Sequence, residues 1–348
     1  MKLNSEQKVE ITNVSPTCGK PTVMGSTATI GVIEGINRVH HLNFLNNTLP
    51  DKCANLIIAD PPYFEVKGAF DFVWEDMKAY LLDVEKWAKE CKRLLADNGT
   101  LFWFGDAKKI AYSQVIIDEH LDLVNSLIWE KAEADGLFGS TGSEQLRSFP
   151  KSTERVLMYS KESYNITQSV FYVRDYIRAE IMKAKGKISF KDINSTLGTA
   201  TNGGGVASAC LSLDKAEPAM ITKEMYEKLQ DWCSPYLDTP YELLRAEYEL
   251  LRRPFNNFMK STEVLKVRFV PSEYDHDTVK PEKLARLLIE TCSRPNDLII
   301  VPFAGSGTEC AMAVKEGRRA IGFDIEEKYC KMSNRRVQDI LRKPELFQ

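Results

Sequence analysis

A short apolar run at residues 55–59 leads directly into Asp60, Pro61, Pro62 and Tyr63. The run is typical of a buried strand, and the two prolines form a stiff turn that offers carbonyl acceptors but no N–H donors. A carboxylate at the end of such a strand can accept hydrogen bonds from an exocyclic amine, and an aromatic ring can stack on a planar base. An ordinary turn without chemistry would use the same residue types, so both interpretations stay open for this motif alone.

A second pattern, a strand, a glycine turn and a helix, begins at residues 298–302. Glycines at such a turn permit positive φ and close backbone approach, so a cofactor can lie over the strand end beside a helix N-terminus. Asp324 follows a third strand-like run, where an acidic residue suits ribose hydroxyls. A tight turn is the other interpretation, but the place of Asp324 favours a nucleoside cofactor. The residues predicted here to bind it are Phe303, Gly305, Ser306, Gly307, Thr308, Asp324 and Ile325.

In this order, the two sites resemble the β class of DNA amino-methyltransferases, which use S-adenosylmethionine. That family places a catalytic half first, a target-recognition region second and a cofactor-binding half last. Residues 99–105 and 152–161 resemble later strands of the catalytic half, and residues 276–284 resemble the motif that opens the cofactor half. The resemblance covers roughly residues 30–161 and 263–340. It implies an α/β, Rossmann-like fold with a mixed seven-stranded sheet and an inserted, mainly helical recognition domain.

The resemblance also implies a reaction, the direct transfer of a methyl group from S-adenosylmethionine to the N6 amine of adenine in duplex DNA. The adenine is flipped out of the helix, stacked on Tyr63 and held through its amine by Asp60 and the carbonyl of Pro61. No covalent enzyme intermediate is required. The predicted catalytic residues are Asp60, Pro61, Pro62 and Tyr63.

Three further residues join the predicted cofactor site through the resemblance. Lys280 lies in the motif that opens the cofactor half, and Asp60 borders both the base and the cofactor. Asn43 follows Leu42 at the place where many members carry a Gly-Asp pair near the adenine of the cofactor. Its amide can face an adenine edge, although the pair itself is missing.

Other members of the fold define the alternatives. N4-cytosine methyltransferases more often resemble Ser-Pro-Pro-Tyr, so Asp60 favours adenine. RNA N6-adenine methyltransferases usually end the motif in tryptophan, and Tyr63 argues against them. A non-catalytic DNA-binding protein is disfavoured by the intact Asp60, Gly305, Gly307 and Asp324. We therefore predict a site-specific DNA (adenine-N6) methyltransferase.

The composition is that of a water-soluble enzyme. The chain has 348 residues, of which 43% are hydrophobic, enough to bury a large core. No apolar run approaches the roughly 20 residues of a membrane span, and the polar start lacks a signal-peptide pattern. The eight cysteines show no Cys-x-x-Cys spacing and the four histidines are scattered, so we expect reduced thiols and no metal. These features predict an intracellular protein, and the resemblance implies a cytoplasmic enzyme encoded by a prokaryote or a phage.

The net charge of −3 conceals a local excess of basic residues between positions 170 and 191. Such a run is usually a solvated helix face, and contact with the phosphates of double-stranded DNA is the alternative interpretation. The basic residues assigned to DNA are Arg174, Arg178, Lys183, Lys185, Lys187 and Lys191.

The residues that follow are compatible with a helix, a turn and a second helix. Residues 189–198 end at a glycine and precede a glycine-rich stretch at 201–205, and small residues continue to 210. Asn202 and Ser208 are the polar side chains that such a second helix could bring to base edges. A glycine-rich surface loop remains the other interpretation.

These observations give four predicted segments. They are an N-terminal arm at 1–31, a catalytic half at 32–161, a target-recognition domain at 162–262 and a cofactor-binding half at 263–348. The glycine-rich residues 135–143 fit a loop that closes over DNA. Family resemblance also suggests a homodimer and a companion restriction endonuclease as partners.

Overall fold

The computed structural model describes residues 35–66, 71–131, 147, 149, 151–161, 168–202, 204–215, 218–268 and 279–342. The chain divides into two compact units. One contains Asn165–Arg252, and the other contains Ile30–Tyr164 together with Arg253–Gln348. The predicted N-terminal arm and the predicted 135–143 loop lie outside the described residues.

The larger unit is built on one mixed sheet, and eight strands of it lie within the described residues. Their order is β1-β8-β7-β2-β3-β5-β4-β6, and only β5 runs antiparallel to its neighbours. The strands are β1 Arg38–His41, β2 Ala54–Ala59, β3 Leu95–Gly105, β4 Asp122–Glu130, β5 Thr153–Ser160, β6 Val264–Lys266, β7 Leu298–Val301 and β8 Arg319–Asp324. The α/β, Rossmann-like prediction is confirmed, with one strand more than the seven expected. The short β6 joins the edge by pairing with β4, which no local pattern encodes.

Helices cover both faces of this sheet. In the larger unit they are α1 Met77–Leu94, α2 Ile110–Asp118, α8 Glu282–Cys292, α9 Thr308–Lys315 and α10 Glu327–Arg342; the smaller unit contains α3 Gln168–Lys185, α4 Phe190–Leu197, α5 Val206–Leu211, α6 Lys223–Cys233 and α7 Tyr241–Leu251. Leu56 and Ile58 pack into the core on one face, and Ile57 and Ala59 pack into the core on the other. Burial on both sides explains why β2 is a continuous apolar run instead of an alternating one.

The sheet has a topological switch point between β2 and β7. These strands are parallel neighbours, but the chain leaves β2 toward β3 on one side and leaves β7 toward β8 on the other. A crevice therefore opens beyond their carboxyl ends, which is where ligands bind in open α/β sheets. Asp60 follows β2, and the glycine turn follows β7, so the order of strands brings both predicted sites to one crevice.

The smaller unit is helical in its described residues and has an apolar core of its own. Ser189 caps α4 through a reciprocal capping box with Asp192, and Gly198 ends the helix with a φ of 68°. After the turn, α5 begins at Val206. The predicted succession of helix, turn and second helix is thus present.

Two further observations concern the described residues as a whole. None of their helices is both long enough and apolar enough to cross a membrane. Within the same part of the chain, no group of three His, Cys, Asp or Glu side chains is placed to hold a metal ion.

Candidate active site

The turn after β2 is held by residues outside the Asp-Pro-Pro-Tyr motif. The buried carboxylate of Asp71 accepts a 2.7 Å hydrogen bond from the backbone N–H of Tyr63. The hydroxyl of Tyr80, on α1, donates a 2.9 Å bond to the carbonyl of Pro62. These contacts fix the direction in which Asp60 and Tyr63 leave the sheet, so the motif is preorganised at the crevice.

A polar cluster of partly buried side chains, with the buried Lys280 among them, surrounds Asp60. The Lys280 Nζ atom lies 2.7 Å from Asp60 Oδ2 and 3.3 Å from Glu154 Oε2. The Tyr63 hydroxyl donates to Asp60 Oδ1 and accepts a 3.2 Å bond from Lys280. Lys131 forms an ion pair with Glu154 from the other side. Lys280, predicted to bind the cofactor, is therefore placed among the acceptors predicted to hold the base.

The charges of this cluster stabilise one another. Burial acts to lower the pKa of Lys280, but the carboxylates of Asp60 and Glu154 outweigh burial and hold it above its usual value. Burial likewise acts to raise the pKa of Glu154, and the two neighbouring lysines bring it below its usual value. Burial, and then the charge of Asp60, raise the pKa of Tyr63 well above 10. At neutral pH the cluster therefore holds a charged lysine, a charged Glu154 and a neutral tyrosine.

A third carboxyl group lies near this cluster, on α9. Glu309 is buried in the first turn of that helix, directly after the glycine turn. Burial, followed by the negative charge of Asp60, raises the pKa of Glu309 from 4.5 to about 7. Its protonation therefore changes within the physiological range of pH.

Glu309 should make the stability of the protein depend on pH. Because its pKa is higher in the folded state, the folded state holds the proton more tightly, and stability is lost as pH rises from about 4.5 to about 7. At pH 5 the Glu309→Gln variant should melt at nearly the same temperature as the wild type. At pH 8 its free energy of unfolding should exceed that of the wild type by up to about 3 kcal/mol. Thermal melts of both proteins across this range test the expectation. A constant difference between them would contradict it.

The cofactor side of the crevice is the turn between β7 and α9. Gly305 and Gly307 adopt positive φ angles of 49° and 72°. Asp324 Oδ2 accepts a 2.8 Å bond from the Gly305 N–H, and its Oδ1 accepts one of 2.8 Å from the Glu326 N–H. Ser333 donates to the Gly305 carbonyl at 2.8 Å. Asp324 thus shapes the glycine turn, in addition to lying where a ribose is expected.

Gly307 is required by packing as well as by its backbone angle. A Cβ atom at this position would lie 2.5 Å from Ser333 Cβ, whereas Gly317, with a similar φ of 75°, has open space around it. Gly307→Ala should therefore lower the free energy of unfolding by roughly 2–4 kcal/mol, and Gly317→Ala, as the matched control, by roughly 1 kcal/mol. Equal losses in denaturant titrations would show that strain at positive φ, and not the contact with Ser333, is the cause.

The other predicted cofactor residues are dispersed around this turn. Phe303 packs edge-on against Trp87, with ring centroids 5.0 Å apart. Ser306 and Thr308 are buried, and Thr308 accepts a 2.9 Å bond from Arg336. Ile325 is 66% exposed beyond β8.

Asn43 has a local structural role in the described structure. Its side-chain oxygen accepts a 2.9 Å bond from the Leu45 N–H and caps a short 3-10 helix, Phe44–Asn46. Asn43 itself is exposed. A contact with the cofactor stays a prediction.

The residues predicted to bind DNA do not all lie on one surface. Arg174 and Arg178 are buried in the smaller unit, and Arg178 donates a 2.7 Å bond to the Leu211 carbonyl. The amphipathic α3 turns these two side chains inward, so the structure does not place them with the exposed cations. The exposed members of the predicted set are Lys183, Lys185, Lys187 and Lys191.

The predicted base-reading residues lie around the turn between α4 and α5. The buried side chain of Asn194 donates a 2.9 Å bond to the Gly204 carbonyl and accepts one of 2.8 Å from the Ala207 N–H, which ties the two helices together. Asn202 is exposed in the turn, and Ser208 is partly exposed on α5. Their contact with DNA stays a prediction.

Three residues of the site were not predicted from the sequence. Asp71 holds the motif, Glu154 shares Lys280 with Asp60, and Glu309 faces the cluster from α9. A local signal existed for Glu154, since it is a carboxylate directly before the apolar core of a strand. No comparable signal marks Asp71 or Glu309.

A mixed α/β sheet that carries an acidic-aromatic motif and a glycine turn at its switch point defines an enzyme of the nucleoside-cofactor class. A family model described as DNA methylase, for the N6 and N4 methyltransferases, matches residues 54–335, and the chain belongs to that family. S-adenosylmethionine is its cofactor.

The chain is also similar to individual proteins. The chain is 26% identical over 315 residues to the type II methyltransferase M.HinfI of Haemophilus influenzae, a match that covers 85% of this chain and 66% of that protein. It is 24% identical over 295 residues to the DNA adenine methyltransferase YhdJ of Escherichia coli strain K12, covering 83% and 78%. A crystal structure of an M1.HpyAVI–SAM complex has a TM-score of 0.46 at 16% identity, covering 86% of this chain and 98% of that one.

The residues at the crevice fit this cofactor. Asp324 lies at the end of β8, and its two oxygens accept the backbone N–H groups of Gly305 and Glu326, which places an acidic side chain beside the glycine turn. Gly305 and Gly307 carry no side chains at the turn after β7, and Asp60 follows the neighbouring strand β2. A glycine turn and two carboxylates are therefore available to a positively charged nucleoside.

Proposed function

We propose that this protein is a site-specific DNA methyltransferase that transfers the methyl group of S-adenosylmethionine to the N6 amine of a flipped-out adenine. One observation carries the proposal. Asp60-Pro61-Pro62-Tyr63 leaves β2 at the switch point, beside the strand that ends in the glycine turn. Acceptors for an amine thus face the place where the fold binds its cofactor.

The residues of this chain would act mainly by position and charge. Asp60 and the carbonyl of Pro61 accept the two amine hydrogens, which favours tetrahedral geometry at the nitrogen and frees its lone pair. The Asp60 carboxylate stabilises the positive charge that develops there, and Tyr63 holds the base by stacking. S-adenosylmethionine supplies an activated methyl group when bound.

Identifying the methylated base tests the proposal directly. Unmethylated plasmid DNA is incubated with the protein and S-adenosylmethionine and then digested to nucleosides. The nucleosides are identified by mass spectrometry. N6-methyldeoxyadenosine is the expected product, and an Asp60→Asn variant is the control for contaminating activity. N4-methyldeoxycytidine, or methylation of RNA alone, would overturn the proposal. Sequencing that detects modified bases then maps the recognition site.

We further propose that the segment 162–262 recognises the target DNA. The support is its position between the two catalytic segments, its exposed lysines and its pair of short helices joined by a turn. Lys183, Lys185, Lys187 and Lys191 would contact phosphates. Asn202 and Ser208 are the candidates for base edges.

Replacing Lys183, Lys185 and Lys187 together with alanine should weaken binding to every DNA sequence and flatten its dependence on salt. Each phosphate contact contributes about 0.9 to the slope of log K against log salt, so the slope should fall by roughly 2–3. The matched control replaces Lys215, Lys223 and Lys228, three exposed lysines of the same unit, and has the same net charge. Equal slopes in the two triple variants would show that the basic run is only a solvated face.

Partners and location follow from the same proposal. Double-stranded DNA is the substrate, and the cytoplasm of a prokaryotic or phage-infected cell is where such a substrate is found. A homodimer and a companion restriction endonuclease stay predictions of the family resemblance. Sedimentation of the purified protein tests the first of these.

A further inference from the structure

The base-free site poses a problem for Asp60. Both of its carboxylate oxygens already have donors, because the Tyr63 hydroxyl donates to Oδ1 and the Lys280 ammonium lies 2.7 Å from Oδ2. A target amine would compete with both donors for this carboxylate. A donor that it displaces would lose this partner in a largely buried site, and an unpaired buried donor is costly, above all when it is charged.

One residue can accept both displaced donors. Glu154 Oε2 lies 3.3 Å from Lys280 Nζ and 3.3 Å from the Tyr63 hydroxyl. Glu154 projects from β5 opposite Trp129 of β4, whose ring lies 5.9 Å from Lys280, so the ammonium has an apolar wall and a second carboxylate on that side. Lys131 pairs with the other Glu154 oxygen, Oε1, and leaves Oε2 facing the cluster.

We propose that Glu154 is a positioning residue for base capture, which takes over Lys280 and Tyr63 when the target amine takes Asp60. The inference rests on the proposed function in one respect only, that the group which receives the methyl is an exocyclic amine. The ammonium has three hydrogens and contacts Asp60, Glu154 and the Tyr63 oxygen. When Asp60 turns to the amine, two of these contacts remain, and the Tyr63 hydroxyl can rotate its single hydrogen from Asp60 to Glu154. The ammonium and the hydroxyl therefore each keep an acceptor.

The test compares Glu154→Ala with Glu154→Gln on duplex DNA that carries the site methylated by the wild type. Alanine removes the acceptor, so methyl transfer at limiting DNA should fall roughly 10- to 100-fold, the effect of losing a hydrogen bond to a charged group. Glutamine keeps an oxygen acceptor and should recover most of this loss. Base flipping, measured with a fluorescent adenine analogue at the target position, should rank the wild type and the two variants in the same order as methyl transfer does. Calorimetry without DNA should give an affinity for S-adenosylmethionine within about threefold of the wild type in both variants.

Glu130→Ala is the matched control, a carboxylate of the neighbouring strand β4 that is paired in register with Thr153. Transfer by Glu154→Ala at the wild-type level would overturn the inference. Equal defects in the alanine and glutamine variants, or a matching loss of cofactor affinity, would overturn it as well, because neither follows from a missing acceptor. Thermal melts separate these outcomes from misfolding, and the glutamine variant preserves the shape of the site. If the wild type methylates cytosine instead of adenine, the proposed adenine specificity fails. The Glu154 variants are then compared by their rates of methylation of the cytosine amine.

Discussion

Asp60→Ala is expected to reduce methyl transfer by at least 10²- to 10³-fold, the typical cost of removing one group that stabilises charge in a transition state. In the proposed mechanism, the carboxylate accepts a hydrogen bond from the amine and stabilises the positive charge that develops on its nitrogen. Affinity for S-adenosylmethionine should change little, because the glycine turn and Asp324 lie on the other side of the crevice. Single-turnover transfer to DNA, with calorimetry for the cofactor, provides the two measurements.

The control for this variant is Asp122→Ala, which removes an exposed carboxylate at the start of β4. Folding should survive the change at Asp60, because Lys280 keeps Glu154 as an ion-pair partner. Transfer within a few-fold of the wild type would rule out Asp60 as the amine acceptor. A loss confined to cofactor binding would assign it to the other half of the site.

The second large effect is expected from Asp324→Ala, which should weaken binding of S-adenosylmethionine by on the order of 100-fold. The carboxylate accepts the N–H groups of Gly305 and Glu326, so its removal releases the glycine turn as well as the predicted ribose contacts. Two hydrogen bonds to a charged acceptor correspond to about 3 kcal/mol or more. Calorimetry of the free protein measures the effect without DNA.

Asp324→Asn is the companion variant for this measurement. It keeps one oxygen for the Gly305 N–H but places an amide where the second acceptor stood, so its affinity should lie between those of the wild type and the alanine variant. Unchanged affinity in both variants would mean that the cofactor lies elsewhere. Melting curves recorded alongside show whether the turn remains folded.

The sequence motifs were sufficient to locate both halves of the candidate site. Asp60-Pro61-Pro62-Tyr63 and the turn at 303–308 are continuous in sequence, and each follows an apolar run typical of a buried strand. Motifs of this kind can be recognised before the fold is known, because strand ends and glycine turns depend on residues that are adjacent in the sequence. The place of Lys280 was different, since it contacts Tyr63 across 217 positions of the chain.

For the basic run at 170–191, the sequence did not reveal which side chains are exposed. Six cations were grouped because they are close in sequence, but Arg174 and Arg178 point into the core of the smaller unit. The rotation of α3 is set by which of its faces packs on the neighbouring helices, and a count of charges carries no information about that face.

The α/β class of the fold, the Asp-Pro-Pro-Tyr motif, the glycine turn and the order of the two along the chain could all be recognised in the sequence. That Lys280 joins Asp60 to Glu154, with Glu309 close enough to feel the charge of Asp60, is a property of the folded chain. The reason is physical: β2, β5, α9 and the segment before α8 are distant in sequence and become neighbours through the sheet. Burial of their charges, and hence their pKa values and their pairing, exists only after that sheet has formed.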